Sequence, residues 1–182
     1  MELLIVLAVV LVLGALFASS YNTLVKLRNQ VQNAWAQIDV QLKRRYDLIP
    51  NLVETVKGYA SHERETFEAV TQARAKAMAA ESVGERAQAE AELSQSLFNL
   101  RAVAEAYPDL KANQNFAQLQ DELTNTEDRI ASSRQAYNDA VRRYDTRRQS
   151  IPHNIVASIG NFAPYEYFET DPDSRSPVRV EF

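Results

Sequence analysis

The sequence predicts an all-α protein: an N-terminal transmembrane helix, then an up-and-down antiparallel four-helix bundle with an extended C-terminal tail. Three observations predict this fold class. An uncharged apolar run covers residues 3–18. Long stretches follow in which apolar residues recur every three or four positions, the period of an amphipathic helix. The 182 residues include only four Gly, which is too few for a β-rich chain with many tight turns.

The apolar run is long enough to cross a membrane. A helix over residues 3–21 is about 28 Å long, which nearly matches the roughly 30 Å of a hydrocarbon core. A cleaved signal peptide is the alternative, but no basic segment precedes the run and no clean small-residue cleavage site follows it. We therefore predict an uncleaved signal anchor over residues 1–21. Its membrane residues include Leu3, Leu4, Ile5, Val6, Leu7, Leu11, Leu13, Leu16 and Phe17.

The charges that flank the anchor predict its orientation. Glu2 is the only charge before the run, whereas Lys26 and Arg28 follow it. Lys and Arg concentrate on the cytoplasmic side of membrane helices. The N-terminus is therefore expected outside, and the rest of the chain in the cytoplasm.

Four amphipathic helices are predicted after the anchor, because Gly and Pro separate the periodic stretches. They cover about 21–57, 62–80, 82–107 and 116–150. Pro50 lies inside the first helix and predicts a kink or a local break there. Ser82 and Glu85 have capping-box spacing at the start of the third helix. A rival topology runs the first helix unbroken through Gly58 to Ala80 and leaves three helices.

The apolar faces predict a bundle core within residues 22–150. The fourth helix has the most regular repeat, from Phe116 to Tyr144, which favours coiled-coil packing. The predicted core includes Trp35, Ile38, Leu42, Leu97, Leu119, Leu123, Ile130 and Tyr137. Several prolines and acidic residues change the character of the chain after the bundle. Residues 151–182 are therefore expected to form a short helix and an extended tail.

A polar network between the first and fourth helices follows from their register. Short connections make neighbouring helices antiparallel. With the membrane-side ends level, residues at one level have numbers that add to about 172. Asp39 then lies level with Arg134, and Arg45 with Glu127. We expect a partly buried network of Asp39, Arg45, Glu127, Arg134 and Asn138. The alternative is a solvated charged face, the commoner place for such residues.

The search for reactive groups predicts no enzyme. The absence of Cys excludes a disulfide framework, a thiolate zinc site and a cysteine nucleophile. His62 and Glu63 open a zincin-like string, but residue 66 is Thr, so the second histidine is missing. The chain has no Gly-x-Ser-x-Gly elbow and no phosphate-binding or dinucleotide motif. We predict no catalytic residue, no metal site and no cofactor, and the net charge of −4 argues against a nucleic-acid partner.

A basic cluster ends the fourth helix. It consists of Arg142, Arg143, Arg147 and Arg148. These side chains complement the negative end of the helix dipole. In the four-helix topology they also return to the membrane beside Lys26 and Arg28, where each basic residue gains about 1 kcal/mol from anionic lipids. The two roles are compatible.

Several stretches resemble the LemA family. They are NAWAQIDVQLKRRYDLIPNLVETVKGYASHE at Asn33–Glu63, AVAEAYPDLKAN at Ala102–Asn113, LQDELTNTEDRIASSRQAYNDAV at Leu119–Val141, and IPHNI and YFE at Ile151 and Tyr167. The resemblance covers nearly the whole chain after the anchor. It implies a bacterial, membrane-anchored four-helix bundle without an assigned enzymatic activity, in the inner (plasma) membrane. One branch of the family is associated with building magnetosome membranes, which hints at membrane organisation.

Two functions remain open at this stage. The first is a structural or scaffold protein that organises a membrane patch through protein and lipid contacts, with self-assembly favoured because clustered single anchors gain avidity. Its expected partners are the membrane, anionic lipids, protein partners and further copies of the chain. The alternative is a sensor or adaptor bundle that binds a ligand or signalling partner at the membrane.

Overall fold

The computed structural model describes residues 1–169, and the chain is helical there, with no strand in that range. The predicted all-α class is confirmed. The helices are α1 (Glu2–Lys57), α2 (Arg64–Ala79), α3 (Val83–Glu105), α4 (Pro108–Lys111), α5 (Gln114–Gln149) and α6 (His153–Ile159). The remainder of the predicted tail, residues 170–182, lies outside the described residues.

Helix α1 joins the predicted anchor and the first predicted helix into one helix of 56 residues. It continues through Pro50, so the local break that this proline suggested does not occur. Proline has no N–H for the carbonyl four residues earlier, and the carbonyl of Tyr46 accepts a hydrogen bond from Arg74 Nε instead, at 2.8 Å. Helix α1 ends at Lys57 and Gly58 begins a turn. The rival topology, with one helix as far as Ala80, is therefore wrong.

Side-chain hydrogen bonds stabilise the starts of α3 and α5. Ser82 Oγ accepts a hydrogen bond from the N–H of Glu85, and the Glu85 carboxylate accepts one from the N–H of Ser82, so the predicted capping box is confirmed. The two hydrogen bonds satisfy N–H groups that the first turn leaves without helical partners. The N–H groups of Ser82 and Glu81 both donate to the Glu85 carboxylate and lower the pKa of Glu85, because they favour its ionised form. Asn113 Oδ1 accepts from the N–H of Phe116 at the start of α5.

The described residues divide into two compact units. The first unit comprises Met1–Ile38 and Ser133–Glu166, and the second comprises Asp39–Ser132 and, within the described residues, 167–169. Helices α1 and α5 each contribute residues to both. The core of the second unit includes Leu42, Ile49, Leu93, Leu100 and Ile130.

Burial along α1 changes at Ser20. Residues 1–19 are all exposed, and Ser20 is the first buried residue of the chain. Among the described residues, α1 is the one helix that is long and apolar enough, by length and composition, to cross a membrane. Its exposed apolar residues include all nine that were predicted in the bilayer.

Two tyrosines of α5 hydrogen-bond to the backbone of the chain that follows α6. Tyr144 donates a hydrogen bond to the carbonyl of Ala163, and Tyr137 donates one to the carbonyl of Glu166, each at 2.8 Å. Both tyrosines are buried in the first unit. Burial raises the pKa of Tyr137 to about 12 and also raises that of Tyr144, because it disfavours the charged phenolate.

Candidate functional site

Arg45 joins three helices at the centre of the second unit. Its Nη1 donates to Glu90 Oε2 on α3 at 2.7 Å, and both side chains are 0% exposed. Its Nη2 donates to Ser94 Oγ on α3 and forms an ion pair with Glu127 Oε1 on α5, each at 2.8 Å. Desolvating two charges is expensive. The cost is offset here because charge-assisted hydrogen bonds reach both carboxylates.

Tyr46 completes the environment of Glu90. Its hydroxyl donates a hydrogen bond to Glu90 Oε1, so each carboxylate oxygen accepts from a different α1 side chain. Burial raises the pKa of Tyr46 well above its usual range, and the bond to Glu90 adds to that effect. Arg45 and Arg86 act in the opposite direction. The phenol therefore remains a neutral donor at physiological pH.

Two further arginines connect the same helices. Arg86 on α3 forms an ion pair with Asp39 on α1, and its Nη2 donates to the carbonyl of Ala80, just after α2 ends, at 2.9 Å. Arg74 on α2 donates to the carbonyl of Tyr46 on α1. We call Arg45, Arg74 and Arg86 the three-arginine cluster. Together these side chains tie α1, α2, α3 and α5 to one another.

The structure places the predicted polar network only partly as expected. Arg45 and Glu127, which the register assigned to one level, form an ion pair. Asp39 pairs with Arg86 on a different helix, and its pairing with Arg134 stays a prediction. Arg134 and Asn138 are half-buried on α5 in the first unit.

The strongest partner of Arg45 was missed by sequence reasoning. Glu90 and Arg86 lie on α3, three and seven residues before the buried Leu93. The same steps of three and four, continued toward the N-terminus, arrive at both residues. On α1, Arg45 likewise lies three residues after Leu42 and four before Ile49, which are both buried. Arg45 and Glu90 could have been found by one signal: each is a charged residue at a position that the helical period assigns to the core.

The predicted core residues differ in their burial. Ile38, Leu42, Leu97, Ile130 and Tyr137 are buried. Trp35, Leu119 and Leu123 are half-buried. The Trp35 ring packs against that of Tyr137 with centroids 5.2 Å apart. Leu123 is half-buried because it lines an open groove.

This groove lies on the second unit and has a volume of about 300 Å³. Its apolar wall includes Leu52, Leu97, Leu100, Phe116 and Leu123, and Arg101, Asp121 and Glu127 lie among its polar residues. Phe98, also in the wall, is one of the most exposed aromatic side chains among the described residues. An exposed aromatic beside an apolar groove is typical of a surface that binds a protein or a ligand.

The first unit carries an aromatic contact where burial begins. The Tyr21 and Phe162 rings meet edge to face with centroids 5.5 Å apart. The Arg28 guanidinium lies 5.2 Å from the centre of the Phe162 ring, a cation–π distance. Phe162 follows α6, and its N–H donates to the carbonyl of Ala157 at 3.0 Å. This bond folds the chain back, so that the end of α6 lies close to Tyr21.

The predicted lipid-facing basic residues are all in this unit. Lys26, Arg142, Arg143 and Arg147 are exposed, whereas Arg28 and Arg148 are half-buried. Arg142 pairs with Asp139 at 2.8 Å, and Arg148 pairs with Asp145 at 3.0 Å. Burial and the nearby charge of Arg147 lower the pKa of His153. This end of the unit therefore keeps its positive charge on the arginines and Lys26.

Within residues 1–169, no group of three or more His, Asp or Glu side chains is arranged to hold a metal ion. The three-arginine cluster has acids and a hydroxyl as its partners, but Arg45 and Glu90 are closed to solvent. The chemistry that this arrangement supports is the cross-linking of helices.

The fold and this cluster define a class over residues 1–169: an all-helical protein with one helix apolar enough to cross a membrane and a core that contains a buried arginine–glutamate ion pair. The chain belongs to the LemA family, whose sequence profile matches residues 34–182. Similar proteins include Magnetosome protein MamQ 2 of Paramagnetospirillum magneticum, which is 26% identical over 87% of this chain and 68% of its own length. Magnetosome protein MamQ of Magnetospirillum gryphiswaldense is 24% identical over the same shares. Protein LemA of Metamycoplasma hominis is 28% identical over 75% of this chain and 63% of its own length.

Proposed function

We propose that the chain is a non-enzymatic, single-pass membrane-anchored structural protein that acts as a scaffold or membrane organiser. One observation carries this proposal: the ion pair between Arg45 and Glu90 is fully buried. Enzymes place their charged groups where a substrate reaches them, whereas here the charges cross-link helices. The relatives support the proposal, since two of them are named for a cellular structure, the magnetosome, rather than for a reaction.

In this proposal residues 1–21 are the anchor in a bacterial inner membrane, with the N-terminus outside. Residues 22–150 form the cytoplasmic up-and-down four-helix bundle, followed by the short helix and the tail over 151–182. The exposed apolar surface of α1 before Ser20 supports the anchor. Lys26 and Arg28 support the orientation, since positive charge flanks the cytoplasmic side.

Exposed basic side chains supply the lipid contacts of the proposed scaffold. Lys26, Arg143 and Arg147 are exposed in the same unit as the apolar part of α1. Each basic residue near an anionic membrane surface gains about 1 kcal/mol. Changing Arg143 and Arg147 to Gln in the full-length chain should therefore reduce the enrichment of acidic phospholipids around it. The matched control is Arg64→Gln with Arg129→Gln, which removes the same charge from exposed positions of the second unit.

Self-association is the protein contact that we propose, with the groove beside Phe98 as its surface. An exposed aromatic anchor that fills an apolar pocket is the usual centre of an interface. Copurification of two differently tagged full-length chains from mixed membranes tests this surface. We expect Phe98→Glu to abolish copurification. Met78→Glu, at another exposed apolar side chain of the second unit, should leave it intact. Equal copurification by both variants contradicts the proposal.

The alternative function, a sensor or adaptor, is favoured by one observation. The groove volume of about 300 Å³ reaches the lower end of the range of ligand pockets. An apolar fluorescent probe that binds the detergent-solubilised chain, and that Leu123→Ala and Phe98→Ala release, would favour a ligand-binding bundle over a scaffold.

A further inference from the structure

Helix α6 presents isoleucines to solvent at helical spacing. Ile155 and Ile159 lie four residues apart on α6 and therefore share one face of it, and Ile151 lies in the turn just before the helix begins. The three side chains are 82%, 59% and 68% exposed in chain order. Single exposed apolar residues are normal on a protein surface, but three exposed isoleucines within the nine residues 151–159 are not. We call these three residues the row. The other side of α6 is buried through Val156 and Ala157.

The location of this row indicates what covers it. The α6 segment leads directly into Phe162, whose ring contacts Tyr21. Tyr21 ends the apolar part of α1, and Ser20 beside it is the first buried residue of the chain. The row therefore lies near the point on α1 where the exposed apolar segment ends and the buried part of the first unit begins. Tyr21 itself is the kind of residue that concentrates at membrane–water interfaces.

The charges beside the row are suited to the same border. Arg147 is exposed one turn before Ile151, and Arg28 lies against Phe162. An apolar row with arginines beside it is the composition of a segment that lies in a membrane surface. If a second copy of the chain covered the row, the row could lie anywhere on the surface. Its location next to the anchor therefore favours the membrane.

We propose that α6 is an interfacial membrane helix, with Ile151, Ile155 and Ile159 inserted into the bilayer that α1 spans. This proposal rests on the membrane anchor of the proposed function. The membrane then holds the first unit at two places, through α1 and through α6. Such a second contact restricts the tilt and rotation that a single spanning helix permits.

The chain has no Cys, so one introduced cysteine labels one position. The full-length variants Ile155→Cys, Leu11→Cys and Asn33→Cys are labelled with an environment-sensitive NBD dye and reconstituted into liposomes with acidic phospholipids. Lipids that carry a nitroxide either near the headgroup or deep in the acyl chain then quench the dye. Asn33 is the matched control, because it is exposed in the same unit and lies about 18 Å beyond Tyr21 along α1.

We expect headgroup-level nitroxides to reduce the emission at position 155 about twofold, because interfacial helices insert roughly 5–10 Å. Deep nitroxides should quench position 11 more strongly, and position 33 should resemble the dye in water. If position 155 behaves like position 33 while position 11 is deep, the α6 proposal is wrong and the anchor stands. If position 11 is also aqueous, both are wrong. If position 155 is apolar but unquenched by either lipid and transfers energy to a second labelled chain, another copy covers α6 and the membrane proposal is overturned.

Discussion

Arg74 Nε donates a hydrogen bond to the backbone carbonyl of Tyr46, the group that Pro50 leaves without its helical partner. A buried carbonyl without a partner costs about 1–3 kcal/mol, and prolines inside helices usually bend or end them for this reason. Here a side chain from α2 takes the place of the missing N–H. The same hydrogen bond therefore supports α1 and joins it to α2.

Replacing Arg74 should reveal this coupling. We expect Arg74→Met to lower the free energy of unfolding by about 1–3 kcal/mol, because the Tyr46 carbonyl loses its donor. In the Pro50→Ala background the loss should shrink, since the introduced alanine supplies the N–H that proline lacks. Denaturant unfolding of the four detergent-solubilised full-length chains measures the cycle. Equal losses in both backgrounds would show that Arg74 acts elsewhere.

The buried ion pair offers a comparison between adjacent residues. Arg45→Met should cost about 3–5 kcal/mol, because it leaves buried carboxylates without their cation. The neighbouring Arg44 pairs with Glu122 at the surface, so Arg44→Met should cost about 0–1 kcal/mol. Both values come from the same unfolding measurement on the full chain. Similar costs for the two variants would contradict the structural role of Arg45.

A double variant separates the desolvated charge from the lost packing. Arg45→Met combined with Glu90→Leu removes both members of the pair, and replacing a buried pair by apolar groups is often neutral or stabilising. We therefore expect the double variant to be more stable than Arg45→Met alone. A double variant that is less stable than either single variant would mean that uncompensated charge is not the source of the loss.

Alkaline pH should weaken the fold through its buried tyrosines. The folded pKa of Tyr137 is raised to about 12, above the unfolded value of about 10. The free energy that Tyr137 contributes to folding is therefore fully present below about pH 10 and is lost as the pH rises through its folded-state pKa. Tyr144 and Tyr46 act in the same direction. Tyr137→Phe should be less stable than wild type at about pH 9, since it loses a hydrogen bond of about 1 kcal/mol. The two unfolding curves, measured at increasing pH, should converge; parallel curves would exclude this role for Tyr137.

Gly160 determines how closely Phe162 approaches the end of α6. A Cβ on Gly160 would lie 2.7 Å from Phe162 Cε2, so Gly160→Ala must displace the ring from Tyr21 and Arg28. We expect a loss of about 1–3 kcal/mol, the usual range for overpacking. The control is Gly58→Ala, where the nearest atom is 3.5 Å away and a neutral or slightly stabilising change is expected. Melting temperatures of the two full-length variants measure the difference, and equal values would argue against the close Phe162 contact.

The apolar period made most of the fold predictable. The stripes through Ile38 and Leu97 fall on helices because burial favours one face of each, and the Ser82 capping box set the start of α3. What period alone does not report is a charge in a core position. Arg45 and Glu90 can be buried because their charges pair with each other. This pairing depends on α1 and α3 together, and the period of either helix alone does not reveal it. Pro50 alone predicts a kink or a local break for the same reason, since the donor that replaces its missing N–H comes from Arg74 on another helix.

Spacing alone also fails to predict which face of α6 is exposed. The exposed isoleucines at 155 and 159 are visible in the sequence, but spacing does not tell whether such a row faces a core or the outside. That distinction required the position of Phe162 against Tyr21.

The proposed arrangement, a helical domain held by α1 at the cytoplasmic face of a membrane, has one direct test. Green fluorescent protein and alkaline phosphatase are fused separately after Phe182, and each is assayed in membranes washed with alkaline carbonate. We expect fluorescence in the washed membranes and an inactive phosphatase, since only the first reporter matures in the cytoplasm. An active phosphatase, or fluorescence released into the wash, would contradict the arrangement.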